Sequence, residues 1–271
     1  MKQSMIQGPQ GKLATVLLGS GNGLPLLFVH ADPGRATQWD VVMRAMAEGR
    51  AVAAYDSRGA GDSAAAADGD YSYDGRAADL AAVADAFHFK KFVIVAHSAG
   101  AAVALAYASK HSERVAGILM VDPVTDPRAL PAKILDGFVK DMARPKSLDV
   151  FKAYVGSIAG SNPAVRDSVL ADAALIDPAA RAGIAKAAGA WNPEIALKAY
   201  KGPIFILSTP ATHNAVALYR VRPDIPHQVV QTDGHWLQLD HPDVVEKAIT
   251  EFVAKIEGAG RYAAVNGLNM Y

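Results

Sequence analysis

Short apolar runs alternate along the chain with longer segments whose apolar positions recur every three or four residues. The runs over residues 13–18, 25–30, 50–55, 92–96 and 115–121 are rich in Val, Ile, Leu and Phe and predict strands. Residues 37–47, 73–87 and the Ala-rich stretch from Ala99 onward predict helices between them. Two more strands are predicted at 203–207 and 228–231, followed by a closing helix at 244–256. Strands that read as continuous apolar runs, each followed by a helix, predict an α/β fold. Its sheet is mostly parallel, with helices on both faces.

The alternation stops between residues 125 and 200. That stretch holds short helix-like pieces punctuated by Pro131, Pro145, Pro163, Pro178 and Pro193. It is too long for a plain loop between two strands and predicts a helical cap inserted into the fold. The expected organisation is a first core part at 1–124, the cap at 125–200 and a second core part at 201–258. A tail at 259–271 shows no periodicity.

A chain of 271 residues, 51% of them hydrophobic, can bury a substantial core as one large domain. The 27 Lys and Arg balance 27 Asp and Glu, and no basic run is interleaved with aromatics, so no nucleic-acid partner is expected. Cysteine is absent, which removes disulfides and thiolate metal sites. His88, His111, His213, His227 and His241 share no ligand spacing, so neither a metal nor a cofactor is expected. The N-terminal residues 1–11 are polar and lack an apolar signal-peptide core, and no run is long enough to span a bilayer. A cytoplasmic protein without a membrane partner is the expectation.

The most informative segment is Phe92-Val93-Ile94-Val95-Ala96-His97-Ser98-Ala99-Gly100. A buried strand runs into a small-His-Ser-small-Gly turn and then directly into a helix. This nucleophile-elbow pattern holds a serine hydroxyl clear of the backbone above a sheet. Small flanking residues are needed because the strained turn lies close to its neighbours. Three further segments accompany it: His30-Ala31-Asp32-Pro33-Gly34, Asp56-Ser57-Arg58-Gly59-Ala60-Gly61-Asp62-Ser63 and the late Gly234-His235-Trp236. In order and spacing the four resemble the α/β-hydrolase superfamily across nearly the whole core.

The resemblance implies that Ser98 is the nucleophile and His235 its base, since a serine hydroxyl needs a neighbouring proton acceptor at neutral pH. It places oxyanion-binding backbone N–H groups at Ala99 and Asp32. Here the chain departs from the family pattern: Ala96 and Ala31 replace glycines, and an aspartate occupies the oxyanion loop. A carboxylate there opposes a developing anion unless it is paired or turned away; a turn-capping role for Asp32 is the other reading. The acid usually follows the penultimate strand, but Ser208-Thr209-Pro210-Ala211-Thr212-His213-Asn214 contains no carboxylate. Asp122, at the end of the strand after the elbow helix, is the candidate, a position some dehalogenases and lactonases of the superfamily use. A cap on the Pro123 turn is its structural alternative, and Asp126, Asp224 and Asp233 are its rivals.

His97 and the aromatic residues Trp191 and Trp236 are candidates for the substrate wall. The expected function is a serine hydrolase acting on a small, largely apolar ester or lactone. A serine at position 98 argues against the carboxylate-nucleophile chemistry of epoxide hydrolases and haloalkane dehalogenases. C–C bond hydrolysis, amide hydrolysis, perhydrolysis and non-catalytic ligand binding remain open, because the fold does not choose among them.

Overall fold

The computed structural model describes the backbone of residues 2–267 and the side chains of residues 2–259. Eight strands form one sheet: β1 (Lys2–Gln7), β2 (Lys12–Leu18), β3 (Leu26–Val29), β4 (Val52–Tyr55), β5 (Phe92–His97), β6 (Val115–Val121), β7 (Ile204–Ser208) and β8 (His227–Val229). Their spatial order is β1-β2-β4-β3-β5-β6-β7-β8. The pairs β3–β4, β3–β5, β5–β6, β6–β7 and β7–β8 are parallel, while β1 and β2 form an antiparallel edge.

Side chains alternate between the two faces of the sheet. Leu27, Val29, Ile94, Ala96, Ile118, Met120 and Ile206 face α2 (Tyr73–Ala86) and α3 (Ala99–Lys110). Leu26, Phe28, Val93, Val95, Leu119, Val121 and Leu207 face α1 (Asp40–Met46) and α11 (Pro242–Gly267). Central strands buried on both faces read as unbroken apolar runs, which is why the sequence pattern locates them.

Between β6 and β7 stand α4 (Ala132–Met142), α5 (Ser147–Ile158), α6 (Pro163–Ala174), α7 (Pro178–Ala190) and α8 (Pro193–Ala199). Pro163, Pro178 and Pro193 occupy first-turn positions, where a missing N–H costs nothing and the fixed φ favours the helix. Asn162, Asp177 and Asn192 cap these helices with side-chain oxygens. Met142, Phe151, Val155, Val165, Val169 and Ile184 form a separate apolar cluster. Helix α8 instead returns to the sheet, and its Leu197 joins the cluster under α3.

Three features differ from the sequence pattern. Strand β1 lies in the polar N-terminal stretch: it is an edge strand in which only Ser4 and Ile6 are half-buried, so it carries no apolar run. The predicted helix at 37–47 splits into a 3-10 turn, Ala36–Trp39, followed by α1. Helix α11 runs to Gly267 and not to Ile256, so the expected aperiodic tail is helical as far as Gly267. Extending a docked helix adds one hydrogen bond per residue without a new nucleus, and needs no apolar stripe. Residues 268–271 of the expected tail lie outside the described residues.

At the elbow, α3 and β3 touch backbone to backbone. A Cβ on Gly100 would lie 2.7 Å from the carbonyl oxygens of both His30 and Val29. We expect Gly100→Ala to lower unfolding stability in urea by about 1–3 kcal/mol, because the helix must move off the strand. An unchanged midpoint would contradict this packing.

Candidate active site

Ser98 ends β5 with φ 51° and ψ −121°, a strained conformation for a side-chain-bearing residue. Backbone bonds hold it there: its N–H donates to Val121 O at 3.0 Å, and its carbonyl accepts from Val124 N at 3.3 Å. Those two bonds tie the elbow to the residues flanking Asp122, itself at φ 41°. Ser98 is 8% exposed, and its hydroxyl has no hydrogen-bond partner among the described residues.

Asp122 is fully buried. A buried carboxylate needs donors for its lone pairs, and here the loop after β7 provides them. Thr209 donates its N–H to Oδ1 at 2.7 Å and its hydroxyl to Oδ2 at 3.1 Å, and the Thr212 hydroxyl donates to Oδ1. His235 Nδ1 lies 2.5 Å from Asp122 Oδ2. The carboxylate accepts, so Nδ1 carries a proton, and in the neutral ring this leaves the lone pair on Nε2. No protein group among the described residues hydrogen-bonds His235 Nε2.

Two backbone contacts fix the His235 loop. Its N–H donates to Ile158 O, at the end of α5, at 3.0 Å. Its carbonyl accepts from His97 Nε2 at 2.9 Å. With Nε2 donating, His97 Nδ1 must accept, and Gln238 Nε2 donates to it at 3.0 Å. The His97 and His235 rings lie 4.7 Å apart. Burial pushes the His97 pKa well below its usual value, and the neighbouring His235 adds to the effect. His97 therefore stays neutral and braces the His235 loop from behind. Trp236 is also fully buried, edge-on to His235 at 5.1 Å, and joins the apolar cluster of the cap helices. Trp191 is 8% exposed and packs edge-on against Tyr73 at 5.7 Å, within the cluster under the sheet. All three expected wall residues are packed against neighbouring rings.

The oxyanion-loop candidates sit at the start of α3 and after β3. Asp32 N–H donates to no group among the described residues. Its carboxylate does not stand free: Arg76 Nη1 meets Oδ1 at 2.9 Å and Oδ2 at 2.7 Å. His30 pins this loop, its Nδ1 donating to Ala31 O at 2.6 Å and its Nε2 accepting Ser57 N–H at 2.8 Å. The Asp56 segment is a scaffold: Asp56 accepts Ala36 N at 2.7 Å and Asp62 N at 2.8 Å, and Arg58 forks onto buried Asp79 at 2.6 and 2.7 Å.

Among the rival carboxylates, Asp126 is held by Arg128 at 2.6 Å, Asp224 pairs with Arg222 at 3.2 Å, and Asp233 is exposed. None contacts His235. The sequence pattern missed Thr209, Thr212, Gln238 and Arg76. The first two carried a signal, hydroxyls in a loop lacking the usual carboxylate. Tyr154 of α5 is half-exposed as a residue, and its ring is T-stacked on Phe138 at 5.7 Å. Burial of its hydroxyl raises its pKa, and the Asp122 and Asp32 carboxylates add to the rise, so the phenol lies within electrostatic reach of both. Surface clefts of about 290 and 350 Å³ lie beside β1 and β2 and against α11, and neither is lined by Ser98 or His235. No helix among the described residues is long and apolar enough to cross a membrane.

A family model described as alpha/beta hydrolase fold matches residues 25–242. A non-heme chloroperoxidase from Burkholderia pyrrocinia is 30% identical over 158 residues, covering 54% of this chain and 56% of that protein. A 2-hydroxymuconate semialdehyde hydrolase from Pseudomonas sp. strain CF600 is 35% identical over 112 residues, 40% of each chain. The chain thus spans about half the length of the curated relatives it matches. Among solved structures, an enol-lactonase from Burkholderia xenovorans LB400 superposes with a TM-score of 0.80 at 17% identity, over 93% of this chain and 100% of that one. A bromoperoxidase from Bacillus anthracis reaches 0.81 at 20% identity, over 93% and 99%.

The state of His97 yields a prediction about pH. In the unfolded chain a histidine titrates near 6.5, and in the folded protein His97 titrates well below that. The unfolded state therefore takes up a proton first as pH falls. The resulting stability is complete above about 6.5 and is lost on acidification at up to about 1.4 kcal/mol per pH unit. We expect urea unfolding of His97→Gln to decline less steeply below pH ~6.5 than the wild type, by about one proton. Parallel slopes would show that His97 titrates normally.

Proposed function

The chain belongs to the α/β-hydrolase family, and within it we propose a serine hydrolase that cleaves a small, largely apolar carboxylic ester or lactone. The observation that carries the reading is the hydrogen bond from His235 Nδ1 to the buried Asp122 carboxylate, beside a strained serine elbow. Ser98 attacks the carbonyl carbon as His235 Nε2 accepts its proton. Asp122 holds the imidazole in the tautomer that leaves Nε2 unprotonated and stabilises the imidazolium that forms. The N–H groups of Asp32 and Ala99 donate to the oxyanion. Collapse of the tetrahedral intermediate returns the proton to the alkoxide. A water, deprotonated by His235 Nε2, then attacks the acyl carbon. Collapse breaks the bond to Ser98 Oγ, which takes the proton back from His235 as the acid is released.

Asp122 is the acid in this proposal because four donor groups from two other segments converge on it, which a turn-capping aspartate would not need. The Tyr154 and Phe138 pair is the candidate substrate wall, in place of Trp191 and Trp236. The relatives' names cover haloperoxidases and a C–C bond hydrolase as well, and the same residues could serve those reactions. An ester or lactone is the simplest substrate for this machinery. Its alkoxide leaves with one proton from His235, and no cofactor is required.

Ser98→Ala should abolish hydrolysis of p-nitrophenyl esters while leaving the fold intact, and the wild type should label rapidly with a fluorophosphonate. A folded wild type that neither labels nor hydrolyses would favour ligand binding without turnover.

Asp122→Asn should lower kcat by roughly 10³–10⁴, because an amide favours the wrong histidine tautomer and cannot stabilise the imidazolium. Asp224→Asn and Asp233→Asn should change kcat by less than about threefold, within the range of ordinary surface substitutions. If Asp122→Asn retains most activity while either of the others loses it, the acid lies elsewhere.

A further inference from the structure

The proposed mechanism uses the N–H of Asp32 and leaves its carboxylate unexplained. An ionised side chain in the loop that binds an oxyanion raises the energy of the tetrahedral intermediate unless something cancels it. The Asp32 side chain is 7% exposed, and both its oxygens accept from one nitrogen, Arg76 Nη1, at 2.9 and 2.7 Å. Arg76 comes from α2, is 2% exposed, and lies with its guanidinium 4.8 Å from the Tyr73 ring centre. The other buried carboxylate nearby, Asp79, is occupied by Arg58. Asp32 is thus the only carboxylate that Arg76 contacts among the described residues. Its Nε and Nη2 have no hydrogen-bond partner there at all. A charge buried this deeply needs a counter-charge, and Asp32 supplies it.

We propose that Arg76 is a positioning residue of the oxyanion loop: it neutralises Asp32 and engages both carboxylate oxygens, so that the Asp32 N–H can meet the oxyanion. This rests on the serine-hydrolase reading. It implies an epistasis with a definite sign. Removing Arg76 alone leaves an uncompensated negative charge beside a forming one. Removing both charges leaves none.

The experiment compares Arg76→Met, Asp32→Asn, the double variant and Arg76→Lys by steady-state hydrolysis of p-nitrophenyl acetate. Wild type and Ser98→Ala run alongside, and circular dichroism checks the fold of each. Arg76→Met should lower kcat on the order of 10²-fold with KM within about threefold, the scale of losing an oxyanion donor. The double variant should be faster than Arg76→Met by about tenfold or more. Arg76→Lys, which keeps the charge, should fall between wild type and Arg76→Met. If Arg76→Met does not fold, the comparison is Arg76→Gln against Arg76→Gln with Asp32→Asn, and the latter must be faster. Single and double variants of equal kcat, or a loss confined to KM, would overturn the proposal while the hydrolase reading stands. A wild type no faster than Ser98→Ala would overturn both.

Discussion

A carboxylate taken wholly out of water can stay in place only if protein donors replace the water it has lost. Asp122 is such a carboxylate, and much of the site is organised by what it requires. Its donors come from the loop after β7 and from the histidine loop that follows β8, while its backbone N–H donates to Leu207 O at 2.7 Å. Those segments meet only if β6, β7 and β8 lie side by side and in register, which the parallel pairing provides. The loop after β7 contributes threonine hydroxyls where relatives of this fold commonly carry the acid. Here the segment after β6 supplies the carboxylate and the loop after β7 the hydrogen bonds that hold it.

The histidine loop is fixed at the backbone as well as at the ring. One bond comes from the cap through Ile158 O, and the other from the elbow through His97. The cap approaches closely at this junction. A Cβ on Gly160, which has φ 76°, would lie 2.7 Å from the Gly234 Cα. Only a residue without a side chain fits that approach in that conformation. The His235 loop, α5 and the Ser98 turn are therefore mechanically connected within a few residues, and a shift of α5 would be felt at the His235 backbone. Because burial keeps His97 neutral, the brace adds no second positive charge beside the imidazolium that the proposed reaction forms.

Two ion pairs buried on the α2 side, Arg58–Asp79 and Arg76–Asp32, carry a net charge of zero between them. The first anchors the glycine-rich segment after β4. The second lies against the loop after β3. Buried pairs of this kind contribute little net stability, since desolvation offsets the attraction, but they set geometry strictly because neither partner tolerates the loss of the other.

Local pattern determined a great deal here. Central strands buried on both faces leave unbroken apolar runs, prolines mark the first turns of the cap helices, and the elbow needs small residues next to its serine. Sheet direction, element order and the candidates Ser98, His235 and Asp122 were legible for those reasons. The edge strand β1 was not, since only its Ser4 and Ile6 are half-buried and it carries no apolar run. The length of α11 was not, since a docked helix extends without an apolar stripe. The burial of individual aromatics was invisible as well: Trp191 and Trp236 are packed inside the structure, whereas Tyr154 is exposed. The partners of Asp32 and Asp122 were equally hidden, because Arg76 is 44 residues from Asp32 and Thr209 is 87 from Asp122. Sequence fixes which groups a chain carries and the period at which they recur. Pairing between distant charges and donors depends on how helices and loops close over the sheet, and only the tertiary structure decides that.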